Sequence, residues 1–128
     1  MNLLIVDDEY LVVEEVVTVT DWELLGITEI YSATNAVSAV RILNEKKIDI
    51  MICDIEMPQT DGLELSKKAK ENFPDLEIVM LTSHAEFNYV RNALRYGCYD
   101  YLLKPVMEDD IIKVMKNLVT KIERERHQ

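Results

Sequence analysis

Four places in the chain carry side chains whose types suit chemistry: Asp7-Asp8-Glu9, Asp54, Thr82-Ser83 and Lys104-Pro105. A set of carboxylates with one ammonium has a specific use. Hard carboxylate oxygens suit Mg2+, which commonly takes one or two protein carboxylates and keeps waters and a phosphate oxygen. A carboxylate is also a nucleophile towards phosphorus, giving an aspartyl phosphate. A metal and an ammonium then neutralise the phosphoryl oxygens, which is most of what phosphoryl transfer asks of a protein. Taken singly, each place has a plainer reading. Asp7-Asp8 suits a turn with a helix cap, Thr82-Ser83 an N-cap, and Lys104-Pro105 a loop. What decides is whether the fold brings the four together.

Each of the four follows an apolar run. Leu3-Leu4-Ile5-Val6, Ile48 to Cys53, Leu76 to Leu81 and Tyr99 to Leu103 are short and nearly unbroken, as strands buried on both faces should be, and a smaller strand is predicted at Glu29-Ile30-Tyr31. Helical stripes separate them: Val12, Val13, Val16 and Val17; then Ala36, Ala39, Val40 and Leu43 behind an Asn35 cap. Asp61-Gly62 opens a third helix with Leu63 and Leu65 inward and Lys67, Lys68 and Lys70 outward, ended by Pro74. Glu86 to Tyr96 is a fourth, with Phe87, Val90 and Leu94 at core spacing and Gly97 closing it. The last starts near Glu108, with Ile111, Met115, Leu118 and Ile122 as its stripe.

Strands separated by crossover helices imply an α/β fold, a five-stranded parallel sheet with helices on both faces. The working site of such a sheet lies beyond the carboxyl ends of its strands. Asp7, Asp8, Asp54, Thr82 and Lys104 then share one edge, and strands roughly 4.8 Å apart let them reach a common point. Coincidence at four strand ends outweighs the plainer readings, and the constellation fits phosphorylation of a carboxylate.

Composition narrows the class. The 128 residues suit one domain, and 48% apolar with 30% charged residues excludes a disordered chain. Lys and Arg number 14 against 24 Asp and Glu, a net charge of −10, so nucleic acid is not a partner for this domain by itself. The two cysteines, Cys53 and Cys98, read as small buried apolar residues in a reducing cytoplasm rather than as staples of a secreted domain. No leader pattern and no apolar run near ~20 residues is present, so a soluble cytoplasmic domain without membrane contact is expected.

On Leu4-Ile5-Val6-Asp7-Asp8-Glu9, Cys53-Asp54-Ile55-Glu56-Met57-Pro58, Asp61-Gly62, Leu81-Thr82-Ser83 and Tyr101-Leu102-Leu103-Lys104-Pro105, in this order, the sequence resembles the receiver domain of two-component response regulators over nearly its whole length. The resemblance implies a flavodoxin-like (βα)5 fold spanning 1–128. It implies Asp54 as phosphoacceptor for a sensor histidine kinase, with slow dephosphorylation, in a signalling domain rather than an enzyme. Mg2+ would be held by Asp8, by Asp7 through water, by Asp54 and by the backbone carbonyl of Glu56. Lys104 would contact the phosphoryl group, Thr82 and Tyr101 would rearrange as the switch, and Lys104-Pro105 would be cis. Asp21-Trp22-Glu23-Leu24-Leu25-Gly26-Ile27, Ala85-Glu86-Phe87 and the run from Tyr96 to Val106 are similar to receivers that precede an AraC-type helix-turn-helix domain, implying a missing C-terminal DNA-binding output domain in a transcription regulator.

The lesser features leave alternatives open. Glu56 and His84 either tune water near the phosphate or are an exposed Glu and a solvated loop His. His84 has no nearby second histidine to make a metal site. Val13 either enlarges an apolar patch near the kinase-docking surface or packs. Tyr89, Ala93 and Tyr96 form a stripe opposite the core stripe of the fourth helix. In receivers that helix joins the fifth strand and fifth helix in a dimer or output face, so the stripe is either part of an interface, a homodimer's among them, or a set of exposed tyrosines without a partner. Two other functions compete. A haloacid-dehalogenase-type Mg2+ phosphatase wants a second Asp two positions after its nucleophile, and Asp7-Asp8-Glu9 lacks it. A stand-alone receiver would bind a partner without any DNA-binding output.

Overall fold

The computed structural model describes residues 1–57, 60–83 and 87–127. The strands are β1 (Asn2–Val6), β2 (Glu29–Ala33), β3 (Ile50–Asp54), β4 (Glu77–Thr82) and β5 (Asp100–Leu103). The helices are α1 (Tyr10–Thr18), α2 (Ala36–Glu45), α3 (Gly62–Asn72), α4 (Phe87–Arg95) and α5 (Glu108–Arg126). All five strands pair in parallel, in the order β2-β1-β3-β4-β5. The strand order reverses between β1 and β3, so a crevice opens at their carboxyl ends. A two-rung antiparallel ladder, Glu56–Met57 with Thr60–Asp61, follows β3, an element that the apolar pattern of the sequence does not predict.

Alternation along each strand feeds two cores. Leu3, Ile5, Ile50, Ile52, Val79 and Leu81 meet Val13 and Val16 of α1 and the apolar stripe of α5. Leu4, Val6, Met51, Cys53, Ile78 and Met80 meet α2 and α3 on the other face. A central strand can afford no polar side chain on either face, which is why these runs are unbroken.

Local signals set the helix ends. The Asn35 side chain accepts the Ser38 N–H at 2.8 Å at the start of α2. Gly97 closes α4 at φ +93°. Acids fill the first turn of α5 and arginines its last, each opposing the helix dipole. The Asp21–Ile27 segment forms a short 3-10 turn over Trp22–Leu25. It buries Trp22, whose Nε1–H donates to the Val16 carbonyl at 3.1 Å, and so plugs the end of the α1–α5 layer.

Several expectations need correction. On α4, Ala93 is buried and Leu94 is 46% exposed, so the core face is turned from the one expected. Tyr96 is exposed as expected, with its ring centroid 5.4 Å from the Lys67 ammonium of α3. The burial of Phe87, Tyr89 and Val90, and the placement of Pro58, His84, Ala85 and Glu86, lie outside the described residues. Val40 is also exposed. Lys70 turns inward to donate to the Leu76 carbonyl at 2.6 Å. Val13 packs in the core, and both cysteines are buried and free.

Candidate functional site

Backbone pairing carries three of the four places to one point. The Asp7 N–H donates to the Ala33 carbonyl at 3.1 Å, extending the β1–β2 pairing by one residue and leaving Asp7 wholly buried. The chain then turns outward: the Glu9 N–H donates to Asp7 Oδ1 at 2.9 Å, and Asp8 stands exposed at the rim. Asp54 closes β3 and is 2% exposed. Its Oδ1 accepts the Glu56 N–H at 3.1 Å, while the Ile55 N–H donates to the Leu81 carbonyl at 2.9 Å and fixes the turn.

Lys104 arrives from the opposite side. Its N–H donates to the Thr82 carbonyl at 2.8 Å, which fixes the residue beyond the end of β5, and its bond to Pro105 is cis. The ammonium lies 2.8 Å from Asp7 Oδ2 and 3.4 Å from Asp54 Oδ1. Thr82, 1% exposed, ends β4 in register with Leu103, one residue before that lysine. Tyr101 lies partly buried against the core of the α2–α3 face, in register with Met80. Glu56 has an exposed side chain.

Charge in the crevice is unbalanced. Asp7, Asp8 and Asp54 each offer a carboxylate oxygen within 4.8 Å of the others, against one ammonium among the described residues, that of Lys104. Burial pushes the Asp54 carboxyl above its ordinary range. The Glu56 N–H opposes that, the negative Asp7 adds to it, and Lys104 opposes it again without cancelling the rise. Burial alone would lower Lys104. The hydrogen bond from its ammonium to Asp7 and the charge of Asp54 outweigh that, and hold it above the ordinary lysine value.

Asp7 Oδ2 is buried and, apart from its approach to Lys104, has no aligned hydrogen-bond donor among the described residues. Three carboxylates against one ammonium leave excess negative charge among the described residues of the crevice, and a hard cation beside them would balance it. The acidic cluster therefore fits a divalent metal.

Gly62 positions the turn that carries Asp54. At Gly62 the N-terminus of α3 runs so close to the turn after β3 that an added Cβ would lie 2.0 Å from the Asp54 carbonyl oxygen and 2.9 Å from the Ile55 Cα. The Gly62 N–H also donates to the Ile55 carbonyl at 3.1 Å. The only signal in the sequence is a glycine in the first helical position, just after the Asp61 that suits the N-cap. Both contacts are backbone, so no rotamer relieves them, and Gly62→Ala should cost at least about 2 kcal/mol. A urea titration reads this as a lower midpoint, and an unchanged midpoint would mean that α3 is free to withdraw.

Known proteins share this arrangement of elements. A family model described as the response regulator receiver domain matches residues 3–116. The uncharacterized transcriptional regulatory protein YesN of Bacillus subtilis is 34% identical over 124 residues, covering 97% of this chain and 34% of that protein. The response regulator SaeR of Staphylococcus aureus is 32% identical over 127 residues, 99% of this chain and 54% of its own length. The chain thus spans between about a third and about half of these relatives.

Among solved structures, the REC domain of AraT, a response regulator from Geobacillus stearothermophilus, superposes with a TM-score of 0.90 at 30% identity, covering 98% of this chain and 97% of that one. A two component transcriptional regulator AraC from Clostridium phytofermentans gives a TM-score of 0.91, covering 100% and 99%, at 23% identity, which speaks to the fold alone. With the fold, the order of its strand-end residues and the family match in agreement, this chain belongs to the response regulator receiver domain family.

Proposed function

We propose that Asp54 accepts a phosphoryl group from the phosphohistidine of a sensor kinase, and that the domain relays this event as a conformational change. An Asp54 carboxylate oxygen attacks phosphorus, the phosphorus–nitrogen bond breaks, and the imidazole leaves with its electron pair and takes up a proton. Asp7, Asp8, Asp54 and the Glu56 carbonyl would hold Mg2+, which when bound would supply positive charge to the phosphoryl oxygens. Lys104, already held between Asp7 and Asp54, supplies the protein's own positive charge to those oxygens. Water then hydrolyses the aspartyl phosphate slowly, so the domain is a switch that takes part in its own chemistry rather than an enzyme acting on a separate substrate.

The observation that carries this reading is the burial of two carboxylates, Asp7 and Asp54, around one lysine at the reversal of strand order. A fold does not keep such a cluster for stability alone. Thr82 and Tyr101 make the switch: the phosphoryl oxygens draw the Thr82 hydroxyl and its loop inward, and Tyr101 turns in behind it. The α4–β5–α5 face then carries homodimerisation or output.

Residues 1–128 form the N-terminal receiver of a longer cytoplasmic transcription regulator whose DNA-binding domain, AraC-type on the likeness of the Asp21–Ile27 and Tyr96–Val106 segments, follows. The printed descriptions of YesN and SaeR as a transcriptional regulatory protein and a response regulator, and their greater lengths, support this. The absence among the described residues of any helix long and apolar enough to cross a membrane is consistent with it.

Incubation with acetyl phosphate and Mg2+ should add one phosphoryl group per chain, lost on treatment with hydroxylamine as an acyl phosphate is. Mass spectrometry should map it to Asp54. Hydroxylamine-stable phosphate on a serine, threonine or tyrosine would overturn the proposal.

A further inference from the structure

Two more carboxylates are buried at the opposite edge of the sheet, and nothing in the phosphoryl chemistry uses them. Asp49 immediately precedes β3 and Glu77 begins β4; both are less than a tenth exposed. Their backbones are locked together, since the Glu77 N–H donates to the Asp49 carbonyl at 3.0 Å and the Asp49 N–H to the Asn2 carbonyl at 2.9 Å. Asp49 Oδ2 accepts the Asn2 N–H at 2.7 Å, and its Oδ1 takes the Arg126 guanidinium from the last turn of α5. Glu77 Oε1 is shared by two ammonium groups, Lys121 of α5 at 3.2 Å and Lys70 of α3 at 3.3 Å. Lys121 is braced along its own helix by Glu125 at 2.9 Å.

The helices so joined belong to different layers. The stripe of α5 packs in the core with α1, whereas α3 packs in the core on the other face. One carboxylate at the sheet edge therefore links both layers, and a second fastens the very end of α5. The 19 residues of α5 make a rod of about 28 Å. Its start follows β5, near the switch residues, and its end sits at the clamp. Helix ends normally fray, and an exposed ion pair does little to stop that. Here each pair has a buried acid, which loses more by standing alone than by keeping its cation.

We propose that Asp49 and Glu77 form an ion-pair clamp that makes the last two turns of α5 part of the folded domain, so that α5 acts as a rigid lever pivoting at the edge opposite the acidic cluster. The clamp stands on the contacts alone. The lever rests on the phosphorylation reading above, because it needs a change near Thr82 and Tyr101 to move the other end. A lever held in this way fixes the direction in which a following segment departs.

Amide hydrogen exchange on the 128-residue chain tests both parts. Without metal, the Glu77→Gln/Asp49→Asn protein should exchange amides 119–126 about tenfold faster than wild type, with residues 111–115 and β3 unchanged. Should the buried substitutions prevent folding, Lys121→Gln/Arg126→Gln alters only the half-exposed partners and should give the same acceleration. Equal rates in the folded variant and wild type overturn the clamp. Saturation of wild type with beryllofluoride and Mg2+ should shift amide signals from Thr82 to Lys104 and leave 119–126 as protected as before. Loss of that protection overturns the lever. No shift from Thr82 to Lys104 would sink the phosphorylation reading and the lever with it, while the metal-free comparison still decides the clamp.

Discussion

Asp54→Asn should carry no detectable acyl phosphate after incubation with acetyl phosphate and Mg2+, under conditions that label the wild type fully. An amide has lost the charged oxygen that attacks phosphorus, so the reaction is removed rather than slowed. The substitution is nearly isosteric, and an Asn Oδ1 can still accept the Glu56 N–H that Asp54 accepts at 3.1 Å. Loss of labelling is then a chemical and not a folding effect, and an unchanged circular dichroism spectrum checks this. Asp8→Asn should behave differently: exposed at the rim, it belongs to the metal cluster without being the nucleophile. Its labelling should fall severalfold at limiting Mg2+ and recover as Mg2+ is raised. Undiminished phosphate on the Asp54→Asn chain, or an Asp8→Asn defect indifferent to Mg2+, would each count against the assignment.

The strands were legible because central strands of a parallel sheet must be apolar on both faces, and four acids or polar groups abruptly ending such runs are conspicuous. The helix faces were less so. α4 offers Leu94 and Ala93 side by side, and spacing alone favours the larger residue for the core; the assembled domain buries the small one instead. Asp49 and Glu77 read as ordinary strand-flanking charges, since their partners Arg126, Lys121 and Lys70 are distant in sequence and only the assembled sheet edge brings them near. Gly62 is the same case in backbone form: nothing local reveals that α3 will start against the Asp54 carbonyl. Contacts between layers are what a one-dimensional pattern omits.

Lys104→Met should strongly destabilise the domain in metal-free buffer, and Mg2+ should repair much of the loss. The ammonium is the one cation among the described residues in contact with Asp7 and Asp54. Carboxylate oxygens within 4.8 Å repel by at least about 3 kcal/mol at an effective dielectric of about 20, before relaxation reduces it. Removing the lysine leaves both buried acids unpaired, which typically costs about 3 kcal/mol and lowers Tm by on the order of 10 °C. Asp54→Asn should do the opposite, raising Tm in EDTA, and the double variant should lie well above the sum of the singles because the two sites share one interaction. A divalent ion that binds only the folded cluster stabilises wild type by roughly 1.4 kcal/mol at ten times Kd. It should stabilise Lys104→Met by more at saturation, where it replaces the missing charge, and Asp54→Asn by less.

The pH dependence follows from the direction of the Asp54 shift. Its folded value lies above the unfolded 3.8, so the folded protein binds this proton more tightly, and that stabilisation is lost as pH rises through the folded value. Asn cannot ionise, so the gain from Asp54→Asn should be present at pH 7, shrink as pH falls through the raised folded value and vanish below 3.8. Lys104 is held above 10.5 and keeps its charge throughout this window. Thermal melts of wild type and the three variants, with EDTA or Mg2+ at two pH values, read all of this. A Lys104→Met protein as stable as wild type in EDTA, or an Asp54→Asn gain that grows as pH falls, would mean that these carboxylates are not held against one another in the folded chain.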